Sequence, residues 1–236
     1  MIEMTRLFKG KRDHVGIFCF FLILFFFYGC HHNTGVRQGL LLQGSGPVSR
    51  LAVLPFQVIA PADHDARMLS CPLCNAAFQT DRDTPPTAGQ IVQDIVLENL
   101  RRQKQLSIIA PDVAAVAYRH ITDADHQANL TDVLQRTAQE LDVEAILIGY
   151  VFRYRELRGR SYSAEKPASV AFELHLVRAS DGVAIWSGAF DKTQESLMEN
   201  LFQMPFFFKL GIKWVTAKEL SEAGVGEIMR NFPGRQ

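Results

Sequence analysis

Cys71-Pro-Leu-Cys74 is the pair of side chains best placed for chemistry in this 236-residue chain. Two cysteines three positions apart can close a disulfide, hold half a zinc site or run a redox centre. A closed zinc site needs two more ligands. Nearby in sequence, His64 is the only imidazole, with Asp63 and Asp65 as oxygen donors. Haem attachment requires histidine directly after the second cysteine, and that residue is Asn75. A thioredoxin-like centre places the pair at a helix start after a strand, whereas Pro72 and a loop setting oppose this. A structural disulfide is the leading reading of Cys71 and Cys74, because lone pairs in exported proteins tend to be oxidised. No cofactor and no resident metal is expected.

The remaining reactive residues read as surface. His120, His126 and His175 lie far apart in sequence, and each reads as a surface or strand-face residue. His31-His32 sits in a polar stretch. A nucleophile elbow, a phosphate-cradling glycine loop and a zinc-binding His-Glu helix are all missing, so the chain reads as a non-enzyme. Arg153, Arg155, Arg158 and Arg160 form a basic cluster; Arg158 and Arg160 are contact candidates for an anionic partner. Leu201–Trp214 is strongly apolar, with Phe206, Phe207, Phe208 and Trp214 as candidates for docking a partner or a membrane surface.

Location follows from the first thirty residues. Arg6, Lys9, Lys11 and Arg12 precede the uncharged run Val15–Tyr28, and Gly29-Cys30 follows. A basic head, a short apolar run and a small residue at the exit make an export signal. Fourteen residues fall short of the roughly 20 that a membrane span needs. Cysteine directly after the small residue marks Cys30 as a lipidation site. His31 in the next position, not aspartate, points to the outer membrane, on its periplasmic face. The leader holds four basic and two acidic side chains of the 25 of each in the chain, so the remainder holds 21 and 23, net −2. That balance shows no footprint for nucleic acid.

Residues 30–49 read as a tether and residues 50–195 as one α/β domain. Leu51–Val58 is a short buried strand, with Pro55 at a bulge or near the strand end, and residues 60–86 are an irregular insert. Thr87 with Gln90 predicts a capping box opening a helix that runs past Leu100. Leu106–Ala110 is a strand, Asp112–His120 a short helix and Thr131–Leu141 another. Ala145–Glu156, Val170–Val177 and Val183–Phe190 are strands, the last two joined at Asp181-Gly182. The fold class is α/β: a mixed sheet of about five strands. It has a β-α-β start, then an antiparallel meander, with helices on one face. Residues 196–236 form a helical tail, with a capping box at Thr216 and Glu219.

Three segments resemble a known group. Ala52–Phe56 is similar to its opening strand, Leu141–Gly149 to its helix-to-strand passage and Leu176–Ser187 to its glycine hairpin ending in tryptophan. The group comprises bacterial envelope lipoproteins with the fold of the TolB amino-terminal domain. It includes the curli-secretion channel lipoproteins and the lipoprotein activators of penicillin-binding proteins. The resemblance covers residues 50–192. It implies a periplasmic lipoprotein that works through protein partners, with assembly into a homo-oligomer as an alternative. The loops Gly159–Pro167 and Ser180–Gly182 are too short to supply membrane-crossing hairpins of about ten residues per strand.

Overall fold

Eleven consecutive residues, Ala145–Arg155, form the longest strand, and its first ten are buried. A strand buried on both sides needs cover on both faces of its sheet. The computed structural model shows that cover. It describes residues 35–38, 47–61, 68–103, 105–160, 163–194 and 214–234.

In chain order the elements are β1 (Val36–Gln38), β2 (Arg50–Val53), β3 (Gln57–Val58), β4 (Met68–Ser70), β5 (Ala77–Gln79) and α1 (Ala88–Arg101). Then come β6 (Ser107–Ile109), α2 (Pro111–Ala124), α3 (Leu130–Glu140) and β7 (Ala145–Arg155). The chain continues through β8 (Arg158–Arg160), β9 (Ser163–Lys166), β10 (Ser169–Arg178), β11 (Ala184–Thr193) and α4 (Ala217–Ile228). The main sheet has seven strands in the order β1-β11-β10-β7-β2-β6, with β3 also on β7. β2 runs parallel to β6 and β7, while β7, β10 and β11 form the antiparallel meander. No helix among the described residues is long and apolar enough to cross a membrane.

The mixed sheet and its order of parallel and antiparallel parts match the expectation; several details do not. Leu51–Val58 is two short strands, because Leu54–Phe56 breaks the ladder around Pro55. Val36–Gln38, read as tether, pairs antiparallel with Gly188–Phe190 at the sheet edge. Helices cover both faces. One core joins α1 and α4 to the sheet through Val92, Val96, Leu220, Ile228, Trp186 and Phe190. The other joins α2, α3 and the β4–β5 hairpin through Ala114, Leu134, Ala138, Phe78 and Phe152.

Local chemistry explains the element ends. Thr216 and Glu219 form the expected reciprocal box: Glu219 N–H donates to Thr216 Oγ1 at 3.1 Å, and Thr216 N–H to Glu219 Oε2 at 2.8 Å. Thr87 makes no such bond; α1 is instead entered through a turn in which Ala88 N–H donates to the Pro85 carbonyl at 2.9 Å. Pro111 at the first position of α2 loses nothing by lacking an N–H. Gly224 in α4 lacks a side chain, which weakens a helix interior. It also makes room, since a Cβ there would sit 2.6 Å from the Phe190 ring.

Candidate metal centre

The 60–86 insert is an ordered hairpin over residues 68–79. Cys71 directly follows its first strand, and the chain turns back at once. Cys71 N–H donates to the Ala76 carbonyl at 2.8 Å, and Asn75 N–H to the Cys71 carbonyl at 2.9 Å. Asn75 takes a left-handed φ of 61°, which asparagine tolerates better than most residues. The loop therefore presents both sulfurs to one side.

That side faces β10. Glu173 and His175 are two apart on the strand, so they share a face. Cys71 Sγ lies 3.3 Å from His175 Nε2, and Cys74 Sγ lies 3.3 Å from Glu173 Oε2. His175 Nε2 and Glu173 Oε2 are 3.4 Å apart. One ligand atom from each of the four side chains lies within 4.8 Å of the others. Cys71, His175 and Glu173 are 0%, 1% and 5% exposed, and Cys74 is exposed.

The hairpin is fastened beyond these four groups. The Phe78 ring stacks on Phe152 at 4.2 Å between centroids, and the Arg37 guanidinium lies 4.7 Å from the Phe78 centroid. Arg153 Nη1 donates to the Gln79 carbonyl at 2.8 Å, and Tyr154 N–H to Thr84 Oγ1 at 3.2 Å. Arg153 reaches the right side because β7 carries a bulge. Phe172 pairs with Val151 but Ala171 pairs with Arg153, so Phe152 is the extra residue. Past the bulge the alternation inverts. Tyr154 joins the core under α1 and α4, away from Tyr150 and Phe152.

Electrostatics in the cluster follow from burial. Desolvation pushes the Cys71 thiol up strongly, partly offset by backbone N–H groups of Cys74 and Leu73. Desolvation also raises Cys74, with the Glu173 charge adding to it. Burial alone would raise Glu173. Hydrogen bonding and charge at His175, with both thiols, outweigh it and hold the carboxyl below its ordinary range. Two sulfurs, one imidazole nitrogen and one carboxylate oxygen are a donor set suited to zinc.

The other expected residues divide clearly. His175 is buried on its strand, not on the surface. His120 is exposed and pairs with Glu140 at 3.1 Å. Arg153 pairs with Asp191, Arg155 with Asp81 at 3.0 Å, and Arg158 lies 3.8 Å from Asp83. The basic cluster thus meets acids from the insert and from β11. Arg160 lies in β8, and Trp214 is half-buried just before α4. Cys30, Asp63, His64, Asp65, Phe206, Phe207 and Phe208 fall outside the described residues. Spacing along the chain could not reveal the partnership, because Glu173 and His175 lie 99 and 104 residues beyond their cysteines. One signal was present: two ionisable residues alternate with Phe172, Leu174 and Leu176 in a strand, and such a strand, if buried, must partner them.

No protein-family model matches the chain, and no curated protein does. Solved structures do. PelC from Paraburkholderia phytofirmans, a dodecamer, is 15% identical at a TM-score of 0.48, over 85% of this chain and 98% of that one. The C-terminal domain of LpoB from Escherichia coli is 11% identical at 0.37, over 65% and 90%. Lipoprotein GNA1162 from Neisseria meningitidis is 13% identical at 0.36, over 69% and 92%. At such identities and scores no residue role passes from them to this chain.

Proposed function

We propose that this protein is a lipid-anchored, non-enzymatic adaptor on the periplasmic face of the outer membrane, working through protein contacts. The observation that carries the reading is Gly29-Cys30 at the end of an export signal, ahead of an α/β domain. The side chains most capable of chemistry support it. Cys71, Glu173 and His175 are turned inward on one another, which suits architecture better than turnover. Contact surface is available elsewhere: Val113 and Val116 on α2 are 52% and 59% exposed. Phe206, Phe207, Phe208 and Trp214, with Arg158 and Arg160, are the further contact candidates.

Cys30→Ser should release the protein from membranes or leave a heavier precursor, read by fractionation and mass; unchanged fractionation and mass would remove the anchor. Photocrosslinkers at Val116 and Phe207 in cells should capture an envelope protein from solubilised membranes. Capture of nothing at either position would remove the adaptor role. An oligomeric subunit of a secretion or transport complex is the second reading. It is favoured by β6, which ends the sheet beside the helix bearing Val113 and Val116. Light scattering of the detergent-solubilised protein separates the two: a multiple of the chain mass supports the second, a single chain mass the first.

A further inference from the structure

We infer that Cys71, Cys74, Glu173 and His175 form a structural zinc site that fastens the insert hairpin to β10. The inference goes beyond the adaptor reading and stands without it. Its first support is geometric. Zinc held by sulfur at about 2.3 Å and by nitrogen or oxygen at about 2.0–2.2 Å sets its ligand atoms roughly 3.3–3.8 Å apart. Three contacts in the cluster are 3.3, 3.3 and 3.4 Å, and all four ligand atoms fall within 4.8 Å. Small rotations of the side chains would close the remaining gaps.

The second support is the loop itself. Ala76 N–H points at Cys74 Sγ at 3.5 Å, and the N–H groups of Leu73 and Cys74 point at Cys71 Sγ. A hairpin turn therefore presents two sulfurs already provided with the hydrogen bonds that a metal thiolate uses.

The third support is what the cluster lacks without a cation. Glu173 is a buried carboxylate that can only accept hydrogen bonds when ionised, and its neighbours are two weak S–H donors and an imidazole. A divalent ion satisfies all four donors at once. Ligation requires both sulfurs as thiolates and Nε2 of His175 free of a proton, so binding releases the protons those three groups hold. Four protein ligands close the coordination shell, which is the mark of a structural and not a catalytic zinc. Exposed Cys74 gives the ion an entry path. The site also explains why a short hairpin with one large core residue, Phe78, holds its place on the sheet.

The test uses the full chain purified in detergent with zinc supplied and thiols kept reduced. Elemental analysis should find about one zinc per chain. Cobalt(II) added to the metal-free protein should give the visible spectrum of a tetrahedral, thiolate-ligated ion. Cys74→Ser and Glu173→Gln should each weaken cobalt binding at least tenfold. Chelation should raise hydrogen exchange in residues 68–79 while leaving α4 protected. The wild-type cobalt spectrum decides the matter even if a variant misfolds. Three results would overturn the inference: no bound zinc, a cobalt spectrum without thiolate character, or a Cys71–Cys74 disulfide in protein whose thiols were trapped in the cell.

Discussion

The α1/α4 layer and the β4–β5 hairpin are held on the sheet by different physics. Under α1 and α4 the contacts are almost wholly apolar: Trp186 meets Phe232 edge-on at 5.0 Å, and Phe172 meets Phe190 at 5.6 Å. Opposite them, the hairpin brings little apolar surface and is tied by Arg153, by the Phe78–Phe152 stack and by the cysteine cluster. A long helix can bury enough hydrocarbon to stay docked by area alone. A hairpin of two three-residue strands cannot, and directional bonds substitute for area.

Perturbations should separate the two. The largest effect belongs to the apolar layer: Trp186→Ala should cost about 3–5 kcal/mol of global stability, because the side chain is fully buried. Denaturant unfolding checks it, and a loss confined to the hairpin would break the contrast. Arg153→Met should cost about 2 kcal/mol, the scale of hydrogen bonds to charged groups. Hydrogen exchange should show that loss first in residues 77–84, whose Gln79 and Thr84 contacts lie beside it. Thr216→Ala should cost about 1 kcal/mol through the lost cap of α4, read as a small shift in melting temperature with the hairpin untouched.

The smallest effect is visible only in alkali. Burial, with the Glu156 charge, raises the Tyr154 hydroxyl above its ordinary 10.0. The folded state then keeps a proton that the unfolded state releases. Stability from this group is complete below pH 10.0 and falls as pH rises beyond it. Tyr154→Phe should leave stability at neutral pH nearly unchanged and flatten its decline above pH 10. An equally steep decline in the variant would assign the alkaline loss to other groups.

Residue patterns announced the elements that local chemistry controls. Asp181-Gly182 marks its turn because Gly182 adopts a φ of 69°. Thr216 with Glu219 marks the start of α4. The patterns hid what tertiary contact controls. Thr87 and Gln90 have the spacing of a cap, yet a turn from Pro85 satisfies the helix start instead. Ala145–Glu156 reads as one alternating strand, and a single bulge at Phe152 reverses the faces of the three strand residues after it. Val36–Gln38 carries no strand pattern longer than three residues; the exposed edge of β11 recruits it. The cysteine cluster escaped for a related reason. A search for ligands close in sequence stops at His64, whereas strand pairing brings Glu173 and His175 from the far half of the chain.

The edge strand β1 also changes the geometry of attachment. Gly35 is already bound to the sheet, its carbonyl accepting from Asp191 N–H at 2.8 Å. Only five peptide steps separate it from Cys30, a reach of about 18 Å at full extension. A twenty-residue leash would let the domain tumble through a wide hemisphere above the lipid. Under the proposed anchor at Cys30, that reach of about 18 Å, and not a leash of twenty residues, bounds the distance between the lipid and the edge of the sheet.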